Sequence, residues 1–296
     1  MIGSRTVAGN RPEPDGLSIR SNGRAIRLKW HKARRHAVDL PFERGNIRAA
    51  LALGASCEVD IRRLADPVFV CLHDDELSHE TDGVGLASQS TAKAVTALTY
   101  RHTESGRRGG PPLFLQELAS MVAANEGGVH QDAQMQLDLK EERPAITDDL
   151  IGHFVGCATG CARYLIVSGD YWDAVDTLAG AVPGVTRGYD PLALAIEMKP
   201  RTHREFAAFV RSSLAAAPKA AVFYLHHEII VRAAVAGAPV VGDLQGEGRE
   251  VDCWTLDPDH AEFEDRLATV IASGVDQITT NAPLAVQEHW SRLDTD

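Results

Sequence analysis

From residue 133 onward the chain repeats one pattern: a short run rich in aliphatic residues, then a longer stretch whose apolar positions recur at helical spacing. The runs are 133–140, 163–169, 186–193, 221–226, 250–256 and 276–281, and the helical stretches include 148–162, 171–182, 203–217, 227–237 and 259–274. Two earlier runs, 25–31 and 57–63, with a helix at 46–54 that Gly54 stops, carry the pattern back toward the N-terminus. Strands separated by helices pair in parallel, because a helical crossover returns the chain to the same end of the sheet. Eight such units imply an α/β fold closed as a (β/α)₈ TIM barrel, with an open doubly wound sheet as the rival. A dinucleotide-binding sheet is disfavoured. No GxGxxG follows the first strand, and the "GEG" at 246–248 precedes a strand rather than a helix.

The remaining segments fit around that core. After an "LADP" turn, residues 68–73 read as a further strand, and residues 113–125 as a helix. Between them lies a stretch rich in Ser, Thr, Gly and Arg, about 75–111, too long for an ordinary connection. It reads either as a small insertion over the barrel mouth that helps to select substrate, or as a surface loop without a role. The first 24 residues are polar and broken by Gly and Pro, so a flexible arm at 1–24 precedes a barrel domain at 25–296, with neither a signal peptide nor a membrane span. Five cysteines, none in a CxxC pair, suit buried thiols in a reducing, cytoplasmic setting; Cys157 and Cys161, one turn apart, read as a helix core face. A net charge of −11 argues against nucleic acid as a partner. Residues 20–35 nevertheless carry seven Lys or Arg and no acid, either a solvated surface or an anion-attracting one.

Chemistry concentrates in "EVDIRRLADPVFVCLHDD", residues 58–75. Strand alternation points Glu58 and Asp60 the same way, and two like charges converging on one spot need a cation or a proton between them. In a barrel the reactive groups gather at the C-terminal ends of strands, which is where His31, Glu58, Asp60, His73, Asp138, Lys140 and Trp254 fall. Glu58, Asp60 and Asp138 are hard oxygen donors, suited to Mg²⁺ or Ca²⁺ rather than zinc; the alternative is a strand-end pair bonded to helix N-termini. Histidines titrate near neutrality and suit proton transfer. "HHE" at 226–228 reads as a helix start, and His36, His79 and His102 have no catalytic company.

Six motifs in order, "WHKARR", "EVD", "LHDD", "LDLK", "CWTLD" and "TTNAP", make residues 25–290 resemble the glycerophosphodiester phosphodiesterases. The resemblance implies a TIM barrel with a small insertion after its second strand. It implies a divalent cation (Mg²⁺ or Ca²⁺, with Mn²⁺ an option) on Glu58, Asp60 and Asp138, and acid–base work by His31 and His73. Substrate contacts would come from Lys140, from Lys32 or Arg34 in place of the family's arginine, and from Tyr224 and Trp254 as pocket walls. The implied substrate is a small-molecule glycerophosphodiester or an opine-like sugar phosphodiester, cleaved to a phosphomonoester and an alcohol by way of a cyclic phosphate. Four departures stand out: Lys32-Ala33 for the family's Arg-Gly, Asp138 for its Glu, Thr280-Asn281 for its Thr-Asp, and "PFERGN" at 41–46 for its Pro-Glu-Asn-Thr helix start. They leave open a catalytically silent barrel that binds phosphodiesters for sensing or uptake.

Overall fold

The computed structural model describes residues 14–102, 106–123 and 128–293. Its strands are β1 (Ser18–Ser21), β2 (Arg24–Trp30), β3 (Ser56–Arg63), β4 (Phe69–Val70), β5 (Gln134–Leu139), β6 (Leu165–Ser168), β7 (Thr186–Tyr189), β8 (Val222–His226), β9 (Glu250–Trp254) and β10 (Gln277–Thr280). Eight of them pair in parallel around a ring, β2-β3-β5-β6-β7-β8-β9-β10. The ring closes because β2 pairs with β10 (Ile278 opposite Leu28) and also with β3 (Trp30 opposite Cys57). The open-sheet rival is thereby excluded, and the fold is the expected (β/α)₈ barrel.

Alternation decides what goes where. Along β2, Ile26, Leu28 and Trp30 are at most 1% exposed and pack outward against the helices, while Lys29 points into the barrel and is fully buried too. The interior is polar for a barrel core. Lys29, Ser56, Glu58, Asp60, Gln136, Ser168, Asp252, Gln277 and Thr279 are all buried, and the apolar cluster inside comprises Ile166, Val222 and Tyr224. Apart from Ser56, whose hydroxyl has no hydrogen-bond partner, each of these groups finds a hydrogen-bonding or charged partner, which makes its burial tolerable.

Three expectations change. The arm at 1–24 is not wholly free: β1 pairs antiparallel with β2 through a two-residue turn, Asn22 and Gly23, with φ of 49° and 78°. Positive φ at both positions marks the tight hairpin turn that Asn-Gly favours. Leu17 O then accepts from Leu28 N at 2.8 Å, and Gly16 O from the Trp30 indole at 2.9 Å. Residues 1–13 lie outside the described residues. The basic run 20–35 forms no single patch either. Arg24 pairs with Asp276, Arg27 donates to the Asp132 carbonyl, Lys29 is interior, and Arg35 lies over the Trp30 ring. Of the strand expected at 68–73, Phe69 and Val70 alone pair, antiparallel to the end of β3 and outside the barrel.

Within 75–111 the described residues form short turns and one helix, Ala92–Thr96, around buried Leu77, Thr81, Ala87, Val95 and Tyr100. The Tyr100 hydroxyl donates to Cys71 O at 2.6 Å and accepts from Leu113 N at 3.0 Å, so both ends of the insertion are anchored. All five cysteines are free, and four are buried. Among the described residues no single helix is long and apolar enough to cross a membrane.

Candidate active site

A cavity of about 220 Å³ opens at the C-terminal end of the barrel. Of the sequence-predicted residues, His31, Glu58, Asp60, His73, Asp138, Lys140, Tyr224 and Trp254 line it. Lys32 and Arg34 do not.

The carboxylates come from adjacent strands in register: Asp60 stands opposite Asp138 across β3 and β5, and Glu58 sits one inward position below. One oxygen from each of Glu58, Asp60 and Asp138 lies within 4.8 Å of the others, the one such cluster among the described residues. Glu58 and Asp60 are 4% and 1% exposed. Burial, then Asp60 and Asp138, push Glu58 well above the usual carboxylate range. Burial pushes Asp60 the same way, but Lys140, Lys32 and the two histidines outweigh it and hold that group below the range. Lys140 donates to Asp138 and lies 2.9 Å from Asp60 Oδ1, so its ammonium caps the trio from the cavity side. Asp60 Oδ2 is buried and has no hydrogen bond. Three converging hard oxygens, one of them unsatisfied, fit a divalent cation of the Mg²⁺ or Ca²⁺ kind.

His31 ends β2, where the backbone turns sharply through Lys32 and Ala33 at φ of 51° and 57°. Non-glycine residues enter that region at a cost, and here the turn brings the Lys32 N–H onto Glu58 Oε2 at 2.7 Å. Asn281, just past β10, donates through Nδ2 to Asp257 Oδ2 at 2.6 Å, which leaves its Oδ1 facing His31 Nδ1 at 2.8 Å. His31 therefore donates from Nδ1 and keeps a lone pair on Nε2, 3.9 Å from Glu58. Burial, with help from the Lys32 charge, pulls its pKa down to about 4.

His73 does not end a barrel strand. It follows β4 in a loop held by two contacts: its N–H donates to Glu80 Oε2 at 2.6 Å, and its carbonyl accepts from Arg62 Nε at 2.7 Å. Asp74 Oδ1 lies 3.1 Å from His73 Nδ1, and Asp74 Oδ2 lies 3.1 Å from His79 Nδ1. His79 thus has company that its sequence context does not reveal. The Lys32 ammonium sits 3.6 Å from Asp60 and 3.4 Å from Glu80 rather than on the cavity wall. Arg34 Nη1 donates to Asn281 Oδ1 at 3.3 Å, behind His31.

Below the carboxylates a buried chain of bonds sets their orientation. Lys29 lies 3.0 Å from Asp252 and donates to Gln136; Gln136 donates to Ser168 Oγ at 2.8 Å, and Ser168 donates to Asp138 Oδ1 at 2.8 Å. Tyr224 stacks under the Lys29 ammonium, 4.2 Å from ring centroid to nitrogen. Its ring fits because residue 188 is glycine: a Cβ there would stand 2.4 Å from the ring edge. His226 accepts from Glu228 N and caps the helix His227–Val235, as expected of "HHE". Gln136, Asp170, Asp190, Leu192, Thr255 and Thr279 complete the cavity, and sequence reasoning did not mark them. For Asp170 and Asp190 a signal existed, since each lies two residues beyond an inward position, Ser168 and Gly188. Burial followed by mutual repulsion pushes Asp190 well up.

The same fold recurs in solved structures. A glycerophosphoryl diester phosphodiesterase described as putative, from Silicibacter pomeroyi, superposes with a TM-score of 0.68 at 16% identity, over 93% of this chain and 94% of that one. A phosphodiesterase from Oleispira antarctica, solved with the product sn-glycerol-3-phosphate, gives 0.63 at 17%, over 90% and 96%. A further one described as putative, from Galdieria sulphuraria, gives 0.66 at 14%, over 93% and 99%. No curated protein matches the chain in sequence. The sequence profile of one family, however, matches residues 45–285, a span that takes in the carboxylate trio, His73, Lys140, Trp254 and Asn281. On that match the chain belongs to the glycerophosphoryl diester phosphodiesterase family, a family of phosphoric diester hydrolases.

Proposed function

We propose that this protein is a divalent-cation-dependent phosphodiesterase that cleaves a glycerophosphodiester, or a sugar phosphodiester of similar shape, to a phosphomonoester and an alcohol. The observation that carries the reading is the convergence of Glu58, Asp60 and Asp138 in one cavity with His31 and His73. Binding alone needs no proton-transfer groups, so the two histidines favour an enzyme over a silent phosphodiester-binding barrel.

Glu58, Asp60 and Asp138 would hold the cation. When bound, it supplies Lewis-acid stabilisation of the negative charge on the phosphoryl oxygens. Lys140 adds a fixed positive charge at the same spot, since Asp138 and Asp60 keep it protonated well above neutrality. His31 is neutral at pH 7, with its Nε2 lone pair free, so it takes the proton from a substrate hydroxyl vicinal to the phosphodiester. That hydroxyl attacks phosphorus and closes a cyclic phosphate. His73, its Nδ1 beside Asp74, gives a proton from Nε2 to the departing alcohol. Water then opens the ring with the two roles reversed. Lys32 acts on substrate indirectly, by fixing the turn that presents His31. Five free thiols suit a reducing, cytoplasmic location.

The test is release of alcohol from a panel of glycerophosphodiesters after chelation and after restoring Mg²⁺, Mn²⁺ or Ca²⁺. Activity is expected to vanish and return, and His31→Ala and His73→Ala should each lose roughly 10²–10⁴-fold in rate while still binding the cation. Full turnover in chelator would refute the cation site. Binding of diesters without cleavage by the cation-loaded parent would establish the silent barrel instead.

A further inference from the structure

We infer that Glu80, which the insertion contributes, is a positioning residue for both histidines: its one carboxylate holds the turn that presents His31 and the loop that presents His73 in a fixed relation. The inference rests on the phosphodiesterase reading and gives the insertion a part in that reaction other than selecting the alcohol.

The two histidines stand on separate pieces of backbone. His31 follows β2 at the turn through Lys32 and Ala33, and His73 follows β4 in a loop outside the barrel. Proton transfer on the two sides of phosphorus needs their spacing fixed, because a misplacement of ~1 Å costs on the order of 10²-fold in rate. Glu80 reaches both pieces. Its Oε2 accepts from the His73 N–H at 2.6 Å, a short bond of the kind an ionised acceptor makes. Its Oε1 lies 3.4 Å from the Lys32 ammonium, which also faces Asp60 at 3.6 Å. The Lys32 N–H in turn donates to Glu58 Oε2 at 2.7 Å, so the charge at Glu80 bears on the same residue that sets the His31 turn. The Lys32 and Glu80 side chains are 15% and 12% exposed, and solvent screens such a pair less than one on the surface.

The carboxylate is itself held from behind. The Glu80 carbonyl accepts from Arg101 N at 2.8 Å, and the N–H and hydroxyl of Thr81 both donate to Leu77 O, at 2.9 and 2.7 Å. Thr81 is fully buried and pairs with Tyr100, whose hydroxyl ties Cys71 O to Leu113 N. The two ends of the insertion thus fix where Glu80 stands. Glu80 does not line the cavity, so it acts through Lys32 and His73 and not on substrate.

The experiment measures kcat and KM of the Mg²⁺-saturated enzyme on the glycerophosphodiester it cleaves fastest, for Glu80→Ala and Glu80→Gln, the latter also in a Lys32→Met background. Amide hydrogen exchange at His73, read by NMR, accompanies it and needs no turnover. Glu80→Ala should lower kcat by about 10–100-fold with KM changed only a few-fold, and should speed exchange of the His73 N–H by about tenfold or more. Glu80→Gln keeps an acceptor for that N–H but turns a neutral amide toward Lys32, so His73 should stay protected while kcat falls by about three- to tenfold. In the Lys32→Met background no ammonium is left to hold, and the same change should cost less than about twofold. A Glu80→Ala kcat within about threefold of the parent, a loss carried by KM or alcohol preference instead, or an equal cost of Glu80→Gln in both backgrounds overturns the positioning role and leaves the phosphodiesterase reading intact. No diester cleaved by the parent, with His73 exchange that still depends on Glu80, upholds the positioning role and overturns the phosphodiesterase reading. No cleavage together with unchanged exchange overturns both.

Discussion

Replacing Lys29 with methionine should destabilise the fold severely, and the geometry sets how far. Lys29 and Asp252 have fully buried side chains whose charged atoms lie 3.0 Å apart. Methionine preserves most of the stem volume but removes the charge. Asp252 would then keep Gln277 Nε2 and the Thr279 hydroxyl as donors, neither of which carries charge. Breaking a buried pair from one side typically costs about 3–5 kcal/mol, because a carboxylate is stranded in a low-dielectric interior. Unfolding entropy near 2.1 cal/mol/K per residue, over roughly 280 ordered residues, comes to about 0.6 kcal/mol/K, so Tm should fall by about 5–8 °C. Lys29→Met combined with Asp252→Asn removes the stranded charge and should recover at least ~2 kcal/mol of the loss. Urea unfolding and calorimetry at pH 7 measure both. The loss should also reach the site, because Lys29 orients Asp138 through Gln136 and Ser168; weakening of divalent-cation affinity by about 10–100-fold is expected. A single variant within ~1 kcal/mol of the parent, or a double variant no more stable than the single one, would refute the reasoning.

Because His31 has its pKa lowered to about 4, its base form should persist as pH falls, and the acid limb of kcat/KM at saturating Mg²⁺ should lie near pH 4 rather than 6.5. At pH 5 roughly 0.9 of His31 would be neutral, against roughly 0.03 for an unshifted histidine, so a steep loss between pH 7 and 5 would contradict the assignment. Glu80→Ala removes the acceptor for the His73 N–H and should lower kcat by about 10–100-fold with KM changed only a few-fold. An altered alcohol preference with kcat intact would instead make the insertion a selector of substrate. Gly188→Ala drives a methyl into the Tyr224 ring and should cost about 1–3 kcal/mol in urea unfolding, with cavity binding disturbed as well; a neutral result would show that the ring moves freely.

The barrel was legible because strand and helix periods differ and alternate, and parallel pairing follows from that order alone. Legibility failed where burial and periodicity part company. Val68 to Leu72 read as a strand since they are apolar, yet Phe69, Val70, Cys71 and Leu72 are buried by packing beneath the insertion, and two of them pair. At the N-terminus a general impression of Gly- and Pro-rich polarity outweighed the specific Asn22-Gly23 turn signal, which closes β1 on β2. The interior network was half visible. Alternation puts Lys29 on the face of His31 and Gln136 on that of Asp138, yet neither residue stood out in the sequence, because in a barrel both faces of a strand are buried and the face of a polar residue cannot be read as solvent or core.

For the site, the dividing line is whether a residue stands on a strand. Glu58, Asp60, Asp138 and Lys140 are held by register, so their convergence follows from spacing once the barrel is granted. Loop residues have no such register. The tautomer of His31 depends on Asn281, 250 positions away, and the orientation of Asn281 depends on Asp257. Seen alone, Asn281 in "TTNAP" is a lost carboxylate; placed between Asp257 and His31, it hands an acceptor to Nδ1 without adding a charge. A carboxylate at 281 would sit about hydrogen-bond distance from both groups, raise the His31 pKa and repel Asp257. Burial and the Lys32 charge keep His31 neutral against Asp60 and the Asn281 hydrogen bond, which both favour its protonated form, and the amide adds no further charge to that side. The departure from the family motif is thus coupled to the electrostatics of this particular cavity, and only the folded arrangement reveals that coupling.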